Sequence, residues 1–240
     1  MRYIILIAGK GNRLHPLTLQ MPKSLYKLEA STTILERMIS IIRKNDSDAQ
    51  FTIVVGFKAD EIRERIGKQD YIEFIENPFY SVTNSIASLW FAQDYLEGDV
   101  TIINGDIVME EAIISEIVCR PVSNPCVLLD SSIKSQGDYN VEVLDNKVLV
   151  MSKDLDQYYG EYAGITKLDA VSCQLLKKQV DLMVKSNMYD QWYENALVQM
   201  IFDNDFELGY IDICNYKWTE VDCVNDMLMA KTIHRQDKNE

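Results

Sequence analysis

Short apolar runs alternate with amphipathic stretches along the first half of the chain. Residues 3–8 are apolar and end in glycines, the pattern of a parallel strand buried on both faces that feeds a loop. Behind Ser31-Thr32-Thr33, apolar side chains at Ile34, Leu35, Met38, Ile39, Ile41 and Ile42 recur at helical spacing. Residues 51–55 read as the next strand, a short helix with Ile62 and Ile66 starts near Asp60, and strand 71–75 closes at the Asn77-Pro78 turn. Asn84 or Ser85 caps a helix with Ile86, Leu89, Trp90 and Leu96 on its apolar face, and strand 100–103 ends at Asn104-Gly105-Asp106.

After a strand at 126–129 the period changes. Val141, Val143, Val148 and Val150 alternate around Asp145-Asn146, which predicts a β-hairpin, and with residues 158–165 it is expected to extend the sheet as a lid. Helices follow at 170–185 and about 191–202, the second with a stripe of Tyr193, Ala196, Leu197, Met200 and Ile201. A strand at 208–213, a helix after Asn225 and a polar tail from Arg235 complete the pattern. Alternating β and α segments predict one α/β domain, a mixed and mostly parallel sheet flanked by helices in a Rossmann-like arrangement. In open parallel sheets ligands sit beyond the carboxyl ends of the strands, so Asp106 and the glycine loop should face one space.

Composition narrows the class. With 240 residues, 47% of them hydrophobic, the chain suits a single globular domain. A formal charge of −13 argues against nucleic acid, which requires a basic surface, and no apolar run is long enough to cross a bilayer. The first residues lack the regions of a signal peptide, so a cytoplasmic protein is expected. Five cysteines without a C-x-x-C pair suggest core thiols rather than a disulfide framework or zinc site. Against this acidic background the first 27 residues contain Lys10, Arg13, Lys23 and Lys27 and no Asp or Glu, a focus suited to phosphate.

That focus is Leu6-Ile7-Ala8-Gly9-Lys10-Gly11-Asn12-Arg13-Leu14 with Met21-Pro22-Lys23-Ser24-Leu25. Glycines let backbone N–H groups approach phosphate oxygens, while Arg13 offers a fork and Lys23 a point charge. Leu14 breaks the dinucleotide rule G-x-G-x-x-G, and no Gly-Lys-Ser/Thr stands at P-loop spacing.

The stretch resembles the signature of the Rossmann-like nucleotidyltransferases, Leu-Ala-Ala-Gly-x-Gly-x-Arg followed by Pro-Lys. Asn77-Pro78-Phe79-Tyr80 with Thr83-Asn84-Ser85, Gly105-Asp106, Tyr162-Ala163-Gly164, Trp192-Tyr193-Glu194 and Trp218-Thr219-Glu220-Val221-Asp222 extend the resemblance, which is to the bacterial choline-phosphate cytidylyltransferases and their small-phosphonate relatives. It implies that Leu6, Ala8, Gly9, Gly11, Asn12, Arg13, Lys23, Asn84, Ser85, Ser88 and Asp106 bind the nucleotide. Lys23, Arg13, Asp106 and Asp222 would be catalytic, Asp106 and Asp222 holding Mg2+. Ile7 stands where the family has a small residue, and Asn12 where Ser or Thr is common.

Tyr139, Tyr162, Trp192, Tyr193, Glu194, Trp218 and Glu220 are the candidate acceptor residues, since aromatic faces backed by carboxylates suit an ammonium. Tyr193 also belongs to a helix stripe, whose usual place is the core. The expected reaction is transfer of CMP from CTP to a small phosphorylated amine or alcohol, phosphocholine first among them, with residues 1–110 as the nucleotide half and 111–240 as the acceptor half. The alternatives are a sugar-1-phosphate nucleotidyltransferase and a catalytically silent nucleotide-binding regulatory subunit. A monomer or a homodimer is expected, without nucleic-acid or membrane partners.

Overall fold

The computed structural model describes residues 1–11, 21–134 and 139–238. Its main sheet runs in the order β10 (Gly209–Asp212), β6 (Cys126–Asp130), β9 (Gly160–Leu168), β4 (Val100–Asn104), β1 (Arg2–Leu6), β2 (Gln50–Val55), β3 (Ile72–Glu76). β1 pairs in parallel with β2 on one side and β4 on the other, and β2 with β3. The connection reverses direction between β1 and β4, so their carboxyl ends open a crevice at a switch point of the topology.

Side chains alternate across this sheet. Tyr3 and Ile5 face one apolar core with Leu35, Met38 and Ile42 of α1 (Ile34–Asn45), whereas Ile4 faces a second. That second core takes Ile86 and Leu89 of α3 (Ser85–Phe91), Leu176 and Val180 of α5 (Ala170–Lys185), and Leu197 and Met200 of α6 (Glu194–Asn204). α1 begins on a capping box: the Thr33 hydroxyl accepts from the Glu36 amide, and the Glu36 carboxylate accepts from that of Thr33. α2 (Ala59–Ile66) packs Ile62 into the α1 side.

Strand β9 differs from expectation. It is not part of a lid but lies in the middle of the sheet, antiparallel to both β4 and β6, because both its faces carry side chains that need burial. The predicted hairpin is present as β7 (Asn140–Leu144) and β8 (Lys147–Ser152), turned by Asp145 and Asn146 at φ 50° and 63°, and it joins β9 at Asn140 and Val141.

A second, two-stranded sheet escaped the sequence reading. β5 (Ile107–Met109) pairs antiparallel with β11 (Trp218–Glu220), Ile107 opposite Glu220. Between them in sequence, α4 (Glu111–Ile113) runs on as a π turn over Ile114–Val118. The buried ammonium of Lys167 donates to the carbonyls of Ile117, Val118 and Arg120 at the end of this turn.

The first three residues of the expected polar tail are helical, since α7 spans Val224–Asp237. Arg37 is buried and needs an anion, which Asp237 supplies, while His234 on the same helix is buried near Glu29. Of the cysteines, Cys173 is buried, Cys119 and Cys126 are half-buried, and Cys214 and Cys223 are exposed, so the expectation of core thiols fails for the last two. They sit in the turns flanking β11, outside any apolar stripe.

Removing the Asp237 carboxylate would leave the buried Arg37 hydrogen-bonded to the Met109 carbonyl but without the carboxylate bonded to it. We expect Asp237→Ala to cost about 3 kcal/mol in urea denaturation. A loss within about 0.5 kcal/mol would show that α7 is not anchored through this pair.

Candidate functional site

The β1 chain continues from Leu6 into the glycine loop, held by Ile7 N–H donating to Val54 O (3.0 Å) and Phe57 N–H to Ala8 O (2.9 Å). Gly11 has φ 63°, a left-handed conformation that a side chain would strain, and a Cβ at Gly9 would meet no atom of the described residues within 4 Å. Gly105 answers the bulk of Ile7: a Cβ there would lie 1.8 Å from Ile7 Cγ2. The branched residue that departs from the family pattern is thereby seated on the end of β4.

One cleft runs across these strand ends. Leu6, Ala8, Gly9, Gly11, Lys23, Asn84, Ser85, Ser88 and Asp106 line one part, and Tyr139, Tyr162, Trp192, Glu194 and Glu220 the remainder. Asn12 and Arg13 lie outside the described residues. Asn77, Tyr80, Thr83, Asn104, Gly105, Pro22 and Ser24 also line it. Asn77 and Asn104 could have been added from their places at the carboxyl ends of β3 and β4, the same argument that marks Asp106. Asn77 is buried and organises its turn, donating to Thr83 Oγ1 and Ser88 Oγ (both 3.1 Å) while accepting from Phe79 N–H (2.9 Å).

At the centre, Lys23 rises from a single 3-10 turn, Lys23–Leu25, that Pro22 introduces. Its Nζ donates to Asp106 Oδ2 (3.2 Å) and to Asp222 Oδ1. Burial works against its charge, yet Asp106 and Asp222 outweigh that and hold its pKa above the ordinary lysine value. Asp222 arrives through the β5–β11 pairing, which Val221 N–H extends by donating to Asp106 O (3.0 Å). Asp106, Glu220 and Asp222 each present a carboxylate oxygen, all within 4.8 Å of one another. Three hard oxygens at that spacing fit magnesium, which takes few carboxylates and completes its shell with phosphate oxygens and water.

The opposite end is aromatic. Trp192 lies 4.9 Å from Tyr139, centroid to centroid, and the ammonium of Lys153 stands 3.5 Å from the centre of the Trp192 ring. Tyr139 donates to Asn195 Oδ1 (2.7 Å). Two acceptor candidates are not brought to this surface. Tyr193 is fully buried, its hydroxyl bonded to those of Tyr162 (2.6 Å) and Thr166 (3.0 Å), and Trp218 Nε1 donates to buried Asp130 Oδ2 (2.9 Å).

Glu194 is a buried carboxyl. Desolvation pushes its pKa up to about 7, against the Asn104 hydrogen bond and the charge of Lys153, which lower it.

The arrangement defines a class: Rossmann-like α/β proteins that gather ligand-facing groups where parallel strands end. The family model for nucleotidyl transferases matches residues 2–120, the stretch that carries the glycine loop, Lys23 and Asp106. The chain is 31% identical over 144 residues to the bifunctional protein GlmU of Methanococcus aeolicus, covering 60% of this chain and 33% of that protein. It is 29% identical over 123 residues to the CMP-5'-(3-aminopropyl)phosphonate synthase of Streptomyces rubellomurinus, covering 50% of this chain and 19% of that one. The chain thus spans about a third or less of these two relatives. The fold is similar to that of the CTP:phosphocholine cytidylyltransferase from Streptococcus pneumoniae, with a TM-score of 0.77, 20% identity, and coverage of 97% and 98% of the two chains. Among the described residues, no helix is long and apolar enough to cross a membrane.

Glu194 makes stability depend on pH. The native carboxyl keeps its proton up to about pH 7, whereas the unfolded chain releases it near 4.5. Below the lower value both states are protonated and nothing is lost; stability then falls as pH rises through the window, by about 3 kcal/mol at full ionisation. Glu194→Gln should be more stable than wild type at pH 8 and equal to it near pH 4. Thermal melts at the two pH values check this, and equal melting at both would show that Glu194 ionises freely.

Proposed function

We propose that this chain is a magnesium-dependent cytidylyltransferase that transfers CMP from CTP to a small phosphorylated amine and releases pyrophosphate. One observation carries the choice of an amine: an ammonium, that of Lys153, already rests on the face of Trp192, in a corner shared with Tyr139 and the buried carboxyl of Glu194. Aromatic faces beside a carboxylate attract ammonium groups. The names of the phosphonate relative and of the pneumococcal enzyme support the same reading.

In this reading residues 1–110 supply the nucleotide half and 111–240 the acceptor half of one domain. Gly9 and Gly11 offer backbone to the triphosphate, Arg13 a fork, and Asn84, Ser85 and Ser88 face the nucleoside. Lys23 leaves its carboxylate partners for the α-phosphate. Asp106 and Asp222, with Glu220 beside them, would hold Mg2+, whose chemistry is to neutralise charge on the triphosphate and pyrophosphate oxygens.

The acceptor phosphate has a second pKa of about 6, so its oxygen is largely ionised near neutrality and needs no general base. That oxygen forms a bond to the α-phosphorus as the bridge to the β-phosphate breaks, with pyrophosphate leaving in line. Catalysis is then positioning and charge stabilisation. Because CTP is the donor, the expected place of work is the cytoplasm.

Pyrophosphate release with magnesium tests the proposal: CTP, UTP, dTTP, ATP and GTP against phosphocholine, phosphoethanolamine, aminoethylphosphonate and glucose 1-phosphate. CTP with an amine phosphate or phosphonate is the expected pair, and a preference for glucose 1-phosphate would move the function to sugar-nucleotide synthesis. With the productive pair, Asp106→Ala and Lys23→Ala should each lower kcat about a hundredfold or more in protein that still melts cooperatively. Near-normal turnover would place the chemistry elsewhere.

Glu194 also predicts the acceptor's pH dependence. Its ionised form attracts the ammonium, so KM for the amine should rise as pH falls below about 7, and Glu194→Gln should keep only the titration of the acceptor phosphate. An identical KM profile in the variant would remove Glu194 from the acceptor site.

A further inference from the structure

Lys23 stands among the carboxylates proposed to hold the metal. Its ammonium is 3.2 Å from Asp106 Oδ2 and hydrogen-bonded to Asp222 Oδ1, and the three side chains are only 12%, 24% and 15% exposed. Asp106 and Asp222, with Glu220, are also the residues whose oxygens lie within 4.8 Å of one another. Magnesium or manganese joined to carboxylate oxygens lies about 2.1 Å from each. An ion shared by Asp106 and Asp222 and an ammonium bonded to both would need nearly the same space.

Charge makes this exclusion more than steric. A divalent ion approaching the cluster meets a positive charge already seated in it, at separations where repulsion at low dielectric is large. If Lys23 withdraws alone, a mostly buried ammonium loses two anionic partners, a costly state unless another anion receives it. A triphosphate laid along the glycine loop is such an anion, and it also supplies oxygens for the metal's remaining positions.

We propose that Lys23 is a resident cation that keeps the metal site closed until a triphosphate draws it away, so that metal and nucleotide bind as a coupled pair. The inference rests on the reading of Asp106 and Asp222 as metal ligands but not on the base or the acceptor. Coupling of this kind is reciprocal: triphosphate tightens metal binding by the factor by which metal tightens triphosphate binding.

Manganese binding followed by electron spin resonance tests this without turnover, using the full chain and no acceptor. Wild type should bind Mn2+ weakly alone and more tightly with inorganic tripolyphosphate, after correction for Mn2+ held by free tripolyphosphate. Lys23→Met should bind Mn2+ alone about tenfold or more tightly than wild type, as expected for removal of a positive charge beside the site. Lys23→Arg, which keeps the charge, should remain weak, and Asp106→Asn added to Lys23→Met should abolish the gain. If Lys23→Met fails to fold, as judged by its thermal melt, Lys23→Gln takes its place with the same expected gain. Equal Mn2+ affinity in wild type and Lys23→Met, or affinity in wild type that tripolyphosphate does not change, would overturn the closed-site proposal. Absence of Mn2+ binding in every form, with and without tripolyphosphate, would overturn the metal assignment as well. Failure of the amine-phosphate assay would affect neither result.

Discussion

The hydrogen-bonded ion pairs from Lys23 to Asp106 and Asp222 join three parts of the chain that are far apart in sequence, 83 and 199 residues from the lysine. Each participant reaches the junction by a different device. Pro22 introduces the short turn carrying Lys23, β4 delivers Asp106 at its carboxyl end, and β11 brings Asp222 back across β5. The ladder is only three residue pairs long, but Val221 N–H on Asp106 O continues it to the point where the carboxylates meet. Without that pairing Asp106 would be one more acid at a strand end, a common place for an acid in a turn. With it, two acids and a lysine occupy a small, largely enclosed volume, and the electrostatics of the cleft begin there.

The parts of this design that were legible in the sequence are those with a strong local period. The six apolar positions of α1 all face inward, and Thr33 with Glu36 forms the box that starts the helix. β1, β2 and β4 are rich in buried apolar residues because parallel strands are covered on both faces. The short elements left no such trace. Three residues of β5 and three of β11 are too few for alternation to stand out, and their partnership is non-local. β9 was misplaced because its antiparallel insertion between β4 and β6 is a fact of topology, not of period. The end of α7 reads as polar since its purpose is to meet buried Arg37 from outside, and only the structure shows which cation Asp237 serves.

Site residues divide in the same way. The glycine loop, Lys23 and the acids Asp106, Glu220 and Asp222 lie together, with the lysine bonded to two of the acids. Aromatic residues were harder to sort because type alone does not tell which way a ring points. Consecutive residues on a helix start point in different directions: Trp192 and Glu194 line the cleft, while Tyr193 sends its hydroxyl inward to Thr166 and Tyr162. That helical step agrees with Tyr193 belonging to the buried stripe of α6. Trp218 has a similar fate, since its indole N–H satisfies the buried carboxylate of Asp130. Both spend their polar atoms on the fold.

The two ends of the cleft are tied to one another as firmly as each is built. Asn84 N–H donates to Tyr189 O (3.0 Å), Ile86 N–H to Gln191 O (3.2 Å), and Tyr193 N–H to Ser85 Oγ (2.9 Å). The start of α3 is therefore stitched to the segment that presents Trp192 and Glu194. A displacement of one is passed to the other through three hydrogen bonds instead of being absorbed in a loop. For the proposed reaction, which needs two phosphates held in line, such coupling matters because small errors in the distance between reacting atoms cost large factors in rate. Ser85 illustrates the point: its hydroxyl lines the cleft and also accepts from the Tyr193 amide, so one side chain belongs to both ends.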